Sequence, residues 1–377
     1  MIKIPLSNPD ITDLEKEYVL SVLSTPNLSL GPMLERFERA FAEYMGLKYA
    51  VALNSGTSGL HLAVKSLDIG PGDSVITTPF SFIASSNCIL FEGAIPVFVD
   101  IDPHTLNIDP QQIEDCIKKR NSKVPKAILP VHVFGCPCEM DDIREIAERY
   151  GMYVIEDACE AIGAEYRGRK AGTFGDVAVF AFYPNKQMTT GEGGMLVTDR
   201  KEIYSLCKSL RNQGRGEDGG WLMHERLGYN YRISDINCAL GLAQLERIEE
   251  ILRKREKVAQ TYNELLKDVE EVIIPDYPDD FRISWFVYVI RLKEDFNRED
   301  RDRILEGLRE RGIGCNKYFP PIHLQPFYRG AFGYKEGDFP VTESVSSRTI
   351  ALPFYNNLTE EQIAYVVETL KEIIAGG

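Results

Sequence analysis

The alternation of short apolar runs with amphipathic stretches is the feature of this sequence that most restricts its fold. Over the first two-thirds of the chain it predicts β-strands that alternate with helices, and therefore a mostly parallel sheet with helices on both faces. The runs are rich in Val, Ile and Phe without strict alternation, as expected for strands covered on both faces. The predicted strands are Tyr49–Leu53, Ser74–Thr78, Pro96–Asp100, Lys126–Val133, Met152–Glu156, Asp176–Phe182 and Gly194–Thr198.

Helices are predicted around these strands from their terminal residues. Pro32–Met45 begins after a glycine, Thr57–Leu67 follows a serine of the capping type, and Asp141–Tyr150 ends before a glycine. A long periodic segment from Ser234 to Lys267, opened by Ser-Asp, predicts one further helix.

The pattern changes after this long helix. Trp285–Leu292 predicts a strand, Asn297–Arg311 a helix, and Thr359-Glu-Glu-Gln is a capping box that opens a final helix. With 377 residues, the chain is too long for one simple core. We therefore predict a large α/β domain over residues 1–245 and a smaller α+β domain over residues 246–377.

The composition narrows the partners and the compartment that we expect. The formal net charge of −14 argues against nucleic acid or an anionic membrane as a partner. The chain has no apolar run of membrane-helix length and no apolar signal core near its start, so we expect a cytoplasmic protein. Cys136 and Cys138 lie near His132, but a metal site needs more ligands, and we interpret this segment as a turn without a metal.

Small and aromatic residues follow the first two predicted strands, at the sheet edge where ligands bind in open α/β folds. The turn Asn54-Ser-Gly-Thr-Ser-Gly59 leads into a helix whose free N–H groups suit a phosphate. It matches neither GxGxxG nor the P-loop pattern, and alone it is equally consistent with a tight connection. Phe80 and Phe82 follow the second strand, where either ring could stack on a planar ligand or belong to the core.

Charged residues follow the fifth and sixth predicted strands. Glu156 and Asp157 close an apolar strand, where carboxylates destabilise the fold unless they are paired. Asp157 could hold a proton on a pyridine nitrogen, or it could cap a helix. Lys186 stands between an apolar strand and the Gly-rich turn Thr189–Gly194, where partial desolvation would make its amine a nucleophile. Alone, it would be interpreted as a surface lysine.

The combination of these features at one sheet edge predicts a pyridoxal phosphate (PLP) enzyme of the aminotransferase type. PLP needs a phosphate anchor, a platform for its ring, an anion beside its pyridine nitrogen and an amine for its aldehyde. The four segments supply one of these each.

The chain resembles, over nearly its full length, the DegT/DnrJ/EryC1/StrS family of sugar aminotransferases, which are fold type I PLP enzymes. The resemblance implies a large domain with a mostly parallel seven-stranded sheet between helices, plus a smaller C-terminal α+β domain. The motifs that carry it are Gly31-Pro32, Asn54-Ser-Gly-Thr, Glu156-Asp157-Ala, Phe182-Tyr-Pro-Asn-Lys186 with Thr-Thr-Gly-Glu-Gly-Gly, and Gly228-Tyr-Asn-Tyr-Arg-Ile-Ser-Asp235.

The resemblance also implies roles for individual residues. Lys186 would be the Schiff-base lysine, and Asp157 would be the partner of the pyridine nitrogen. Glu160 stands where many members have glutamine near the ring hydroxyl. Perosamine-type members resemble this chain in having glutamate there. The residues implied to bind the cofactor are Gly56, Thr57, Ser58, Phe82, Asp157, Glu160, Lys186 and Asn230.

Residues outside the PLP motifs complete the implied site. Asn230 matches a residue that reaches the phosphate in the neighbouring subunit, which implies a homodimer with shared active sites. Tyr318 and His323 resemble the region that meets the sugar nucleotide. Ala181 departs from the pattern, because many members have a phosphate-binding serine there, and anchoring would then rely on Thr57 and Asn230.

The resemblance implies transfer of an amino group from L-glutamate to a 4-keto-6-deoxy sugar nucleotide, by a ping-pong mechanism through pyridoxamine phosphate. Lys186 favours transamination over the related dehydratases, which have histidine there, and the turn after Lys186 resembles members that act at C4. The alternatives are a C3 keto-sugar aminotransferase, a PLP-dependent lyase or dehydratase, and a scaffold or sensor that only binds PLP. A dinucleotide-dependent dehydrogenase is disfavoured because no GxGxxG turn follows the first strand.

Overall fold

A computed structural model describes residues 4–119, 123–216 and 223–376. The strands are β1 Tyr49–Leu53, β2 Ser74–Thr77, β3 Ile95–Phe98, β4 Ala127–Ile128, β5 Tyr153–Asp157, β6 Glu165–Tyr166, β7 Arg169–Lys170, β8 Val177–Ala181, β9 Gly194–Thr198, β10 Val272–Ile273, β11 Phe281–Arg282, β12 Tyr288–Leu292 and β13 Thr349–Leu352. The helices are α1 Asp13–Leu23, α2 Pro32–Met45, α3 Gly56–Ser66, α4 Ala84–Phe91, α5 Pro110–Lys119, α6 Met140–Tyr150, α7 Lys201–Arg211, α8 Asp235–Glu246, α9 Ile248–Leu266, α10 Arg298–Glu310, α11 Pro326–Phe332, α12 Pro340–Arg348 and α13 Glu360–Ile374.

A seven-stranded sheet in the order β1-β9-β8-β5-β4-β2-β3 forms the centre of the larger part of the chain. Its strands are parallel except β9, which runs antiparallel to both of its neighbours, β1 and β8. Buried apolar residues fill separate clusters between the sheet and its helices. The predicted fold class, an α/β sheet between helices, is therefore confirmed.

The C-terminal part has a sheet of its own. β10, β12 and β13 form an antiparallel sheet that packs with α9, α10 and α13 around a separate apolar core. A third small sheet joins β11 to the β6–β7 hairpin, so the two parts of the chain also pair directly. The smaller α+β unit is thus present, and the domain boundary at residue 245 stays a prediction.

The predicted long helix is wrong in one respect, because it is two helices. Arg247, with φ −100° and ψ 5°, separates α8 from α9. Its guanidinium is held at 2.7 Å by Glu15 and at 3.3 Å by Asp10, two acidic side chains from the start of the chain. The helical periodicity of the sequence continues through Arg247, so the periodicity alone does not show the break. The ion pairs that accompany the break come from a distant part of the chain.

The predicted strand Lys126–Val133 is also shorter than expected. The ladder with β2 and β5 contains Ala127–Ile128, and beyond it Val131 forms an isolated bridge to Asp157. Pro130 has no N–H to donate to a ladder, and a 3₁₀ turn begins at Val133. No helix in the described part of the chain is both long and apolar enough to cross a membrane.

Gly59 allows α3 to pack tightly on the central sheet. A Cβ at this position would lie 2.6 Å from Cγ1 of Val179 in β8, closer than real Cβ contacts. This packing brings the first turn of α3 against the end of β8.

We predict that Gly59→Ala destabilises the fold by about 1–3 kcal/mol, because the added methyl group overpacks the helix–sheet contact. Urea unfolding measures the change. Gly330→Ala in α11 is the matched control, since a Cβ there meets no atom within 4 Å. Equal stability of the Gly59→Ala variant and the wild type would contradict the proposed packing role.

Candidate active site

The cavity that gathers the predicted cofactor residues, named the main cavity for that reason, has a volume of 440 Å³ and opens at the carboxyl ends of β5 and β8, beside the first turn of α3. Phe286, Tyr318 and Phe319 close it from the C-terminal part of the chain. Residues from both parts therefore build one site. It is lined by Ser55, Gly56, Thr57, Leu60, Ser81, Phe82, Ala84, Ser85, Val131, Asp157, Cys159, Glu160, Ala181, Tyr183, Asn185, Lys186, Glu192, Gly193, Phe286, Tyr318 and Phe319.

The turn before α3 forms an anion-binding end of this cavity. Ser55 caps the helix by accepting the N–H of Ser58 at 3.1 Å, and the Ser58 hydroxyl donates to Asn54 at 2.7 Å. Ser58 is thereby engaged in the cap and does not line the cavity. Gly56 and Thr57 do line it, and their N–H groups have no acceptor within the helix.

A close backbone approach holds this turn in place. A Cβ on Gly56 would lie 2.7 Å from the Cβ of Ala181, and one on Gly194 would lie 2.5 Å from the backbone oxygen of Ser55. The ends of β8 and β9 therefore support the turn directly. Ala181 presents a methyl group to the cavity where a serine would present a hydroxyl.

Asp157 ends β5 and points into the cavity. One carboxylate oxygen accepts the Ser85 hydroxyl at 2.9 Å, and the other accepts the backbone N–H of Cys159 at 3.1 Å. No helix begins after Asp157 in the structure, so its alternative interpretation as a helix cap is wrong. Two donors thus orient a buried carboxylate toward the space that a ligand would fill.

Glu156, its neighbour, serves the fold. Its carboxylate accepts backbone N–H groups from Gly172, Phe174 and Gly175 at 2.6–2.7 Å. It also bonds Nε2 of His132 at 3.0 Å, while Nδ1 of His132 accepts the N–H of Cys138 at 3.0 Å. The acid pair therefore divides into a structural carboxylate and one that faces the cavity, and the Cys136–Cys138 turn is organised by hydrogen bonds.

Lys186 extends into the cavity between an acid and an aromatic ring. Its Nζ lies 3.4 Å from Oε1 of Glu160 and 3.8 Å from the ring centroid of Phe286. The other oxygen of Glu160 accepts the N–H of Phe134 at 2.9 Å. Below the lysine, Gln187 donates to the backbone oxygen of Glu160 at 2.6 Å and so fixes the loop.

Glu160 is the carboxyl group of this site that burial affects most clearly. Burial raises the pKa of Glu160, although the Lys186 ammonium and the Phe134 N–H favour its charged form. A carboxyl group of this kind can hold or release a proton close to Nζ of Lys186.

The two candidate aromatic residues have different environments. Phe80 is fully buried and packs edge-on against Phe134 and Phe319. Phe82 is 62% exposed and lines the cavity, so its ring is available to a ligand. The structure thus separates the core phenylalanine from the one that can stack.

The three remaining predicted residues lie in different places. Tyr318 lines the cavity, and burial together with Glu160 raises its pKa. His323 is fully buried outside the cavity, with Nε2 bonded to Glu343 at 2.9 Å. Asn230 is exposed and does not line the cavity of its own chain, although its backbone oxygen accepts from Asn54 at 3.4 Å.

Sequence reasoning missed Ser85, Phe286, Tyr183 and Asn185. Ser85 lies three residues after Phe82, near the start of α4, a helix that was not predicted. Phe286 comes from a strand region of the C-terminal part, and only the tertiary fold brings it to Lys186. The other two flank Pro184 in the loop before the lysine, where their proximity to Lys186 was a usable signal.

The fold and this cavity define a PLP-dependent aminotransferase. The chain belongs to the DegT/DnrJ/EryC1/StrS aminotransferase family, whose model matches residues 9–371. The predicted family and the predicted cofactor, PLP, are thereby confirmed, and the enzyme is a sugar aminotransferase.

Individual relatives share nearly the whole chain. GDP-perosamine synthase of Caulobacter vibrioides is 39% identical over 99% of this chain and 98% of its own. Spore coat polysaccharide biosynthesis protein SpsC of Bacillus subtilis is 38% identical over 99% of this chain and 97% of its own. The structure of PseC from Helicobacter pylori, an aminotransferase of pseudoaminic acid biosynthesis, matches with a TM-score of 0.93 at 30% identity and covers 100% of both chains.

The raised pKa of Glu160 predicts a pH dependence of folding. A carboxyl group whose pKa is higher in the folded than in the unfolded chain makes stability fall as pH rises between the two values. Glu160→Gln has no ionisable group at this position, so this pH-dependent decrease in folding stability should be absent from the variant. In the cofactor-free protein, the variant is therefore expected to gain stability over the wild type as pH rises above the usual pKa of a glutamate side chain.

Urea unfolding at several pH values measures this difference. Glu148→Gln, on the exposed face of α6, is the matched control for removal of one carboxylate. A stability difference between Glu160→Gln and the wild type that stays constant with pH would argue against a raised pKa.

Proposed function

We propose that this chain transfers an amino group from L-glutamate to the C4 keto group of a 6-deoxy sugar linked to a nucleotide, with both substrates using one site in turn. The observation that carries the proposal is that the amine of Lys186 and the carboxylate of Asp157 line the same cavity. The relative named GDP-perosamine synthase supports an aminated, nucleotide-linked sugar as the product.

The residues that are present fit the cofactor. The N–H groups of Gly56 and Thr57 suit its phosphate, and Phe82 offers a free ring face. Asp157 would hold a protonated pyridine nitrogen, and Lys186 would supply the amine that binds the aldehyde carbon. When bound, PLP supplies an electron sink for negative charge on the α-carbon of the amino donor.

The protein's own groups then handle the protons. Lys186 Nζ removes the proton from the α-carbon of glutamate and later delivers one to the sugar carbon that receives the amine. Asp157, oriented by Ser85, keeps a proton on the pyridine nitrogen. Glu160, 3.4 Å from Nζ, stabilises the protonated lysine between these steps.

A panel of nucleotide-linked keto sugars tests the substrate class. Purified enzyme, PLP and L-glutamate are incubated with 4-keto and 3-keto substrates, and NMR of the products identifies the aminated carbon. Amination at C4 supports the proposal. Amination at C3, or elimination of a hydroxyl group without amination, would replace it with one of the alternative reactions.

We predict that Lys186→Ala lowers turnover by at least about 10²- to 10⁴-fold, because the group that moves the proton is lost. Circular dichroism is expected to show an unchanged fold, since Lys186 lies at the cavity. Lys48→Ala, at an exposed position, is the matched control and keeps full activity. Wild-type rates in Lys186→Ala, without an added amine, would refute the assignment.

We also propose that the enzyme is a homodimer in which Asn230 reaches the cofactor phosphate of the partner subunit. Asn230 is exposed but is tied to the phosphate-type turn through Asn54. Large apolar side chains are exposed near it, including Leu227 at 85%, and at the cavity, including Phe82 and Tyr183. Such exposure is typical of surfaces that pair with another chain.

Mixing two variants, each of which changes one residue of the proposed shared site, tests the proposal. In a mixed dimer of Lys186→Ala with Asn230→Asp, one of the two sites keeps both residues intact. We therefore predict that co-refolded variants recover about a quarter of wild-type activity, as random pairing of two subunits allows. Activity that stays at the sum of the separate variants would contradict a shared site.

A further inference from the structure

A second cavity of 250 Å³ lies between α10, α11 and the segment 317–325, which is part of the connection between these two helices. Lys317, Pro320 and Pro321 line it, whereas Tyr318 and Phe319, between them in sequence, line the main cavity. The two cavities share no lining residue.

The charge of this cavity is opposite to that of the protein. Arg298, Arg301, Lys317 and Arg329 line it, and Glu336 is the carboxylate that faces them among the described residues. Within the described part of the chain, no salt bridge joins Arg298, Lys317 or Arg329 to an acid. In a chain with a net charge of −14, unpaired cations around one small cavity repel each other unless an anion lies between them.

Arg301 gives the cavity a rigid, buried donor. Its side chain is only 3% exposed, and its Nε bonds Asp302 at 2.6 Å. Nη1 donates to the backbone oxygens of Ser346 at 3.0 Å and Thr349 at 3.3 Å. Among the described residues, no hydrogen bond uses Nη2, and because Arg301 lines the cavity this nitrogen can donate to a ligand there.

We propose that this cavity binds a phosphate oxyanion of a small molecule. Several cations and a planar guanidinium held in one orientation match the double charge and multiple acceptor oxygens of a phosphate better than the single charge of a carboxylate. Pro320, Pro321 and Leu324 add an apolar wall for the group that carries the phosphate. The phosphate belongs either to the nucleotide of the sugar substrate or to a separate phosphorylated compound.

Isothermal titration calorimetry with inorganic pyrophosphate tests the site. PLP-loaded enzyme is used at constant ionic strength, so that the cofactor's own phosphate site is filled. The cavity variant is Lys317→Gln with Arg329→Gln, both at exposed positions. The matched control, Lys371→Gln with Arg144→Gln, removes the same charge from exposed positions outside the cavity.

The wild type and the control are expected to bind pyrophosphate equally. The cavity variant should bind about a hundredfold more weakly, or about tenfold for each charged hydrogen-bond donor that is removed. Equal affinity of the cavity variant and the control, or no binding by the wild type, would overturn the proposal.

Steady-state kinetics then separates the two sources of the phosphate. If it belongs to the sugar nucleotide, the cavity variant has a raised KM for that substrate and an unchanged kcat. If KM is unchanged while pyrophosphate binding is lost, a separate phosphorylated compound occupies the site. Because calorimetry needs no turnover, the binding result stands even if the proposed reaction is wrong.

Discussion

The parallel pairing of β5 with β8 is the constraint on which the active site depends. Asp157 at the end of β5 lies opposite Val179, so the loop that leaves β8 after Ala181 begins at the same sheet edge, and both residues line the cavity. That loop carries Lys186 back over the same edge, and Gln187 fixes it by a hydrogen bond to Glu160. The sheet thus sets where an acid and an amine that are distant in sequence can act on one ligand.

Glu156, Asp157 and Glu160 are close in sequence but have different roles, because each carboxylate has different hydrogen-bond partners. Glu156 is fully satisfied by backbone N–H groups and His132, and it holds the loop at Gly172–Gly175. Asp157 keeps two donors and faces the cavity, while Glu160 is buried beside Lys186, where its pKa is raised. Since burial of a carboxylate is costly unless it is paired, the supply of donors at each position decides which acid can take part in chemistry.

Sequence periodicity located most elements of the large sheet and failed where a tertiary contact outweighs local preference. It continued one helix through Arg247, where ion pairs to Asp10 and Glu15 accompany a break. It extended β4 past Pro130, and it did not find α4, whose apolar and small residues show no amphipathic face because most of them are buried. Hydrophobic periodicity is measured over a window of many residues, so it indicates the environment of the segment as a whole. A contact made by a single residue with a distant part of the chain does not change that pattern.

The sequence by itself determined the α/β class, the candidate cofactor groups and the family, because strand–helix alternation and short motifs are local properties. The resemblance chose Phe82 over Phe80 and Asp157 over Glu156, but the sequence held no physical reason for either choice, and it could not bring Phe286 to Lys186. Tertiary structure decided these points, as it did the cluster of cations around Arg301, since each depends on which face of an element meets another part of the chain. The physical reason is that burial, pairing and orientation arise only when segments distant in sequence share one core.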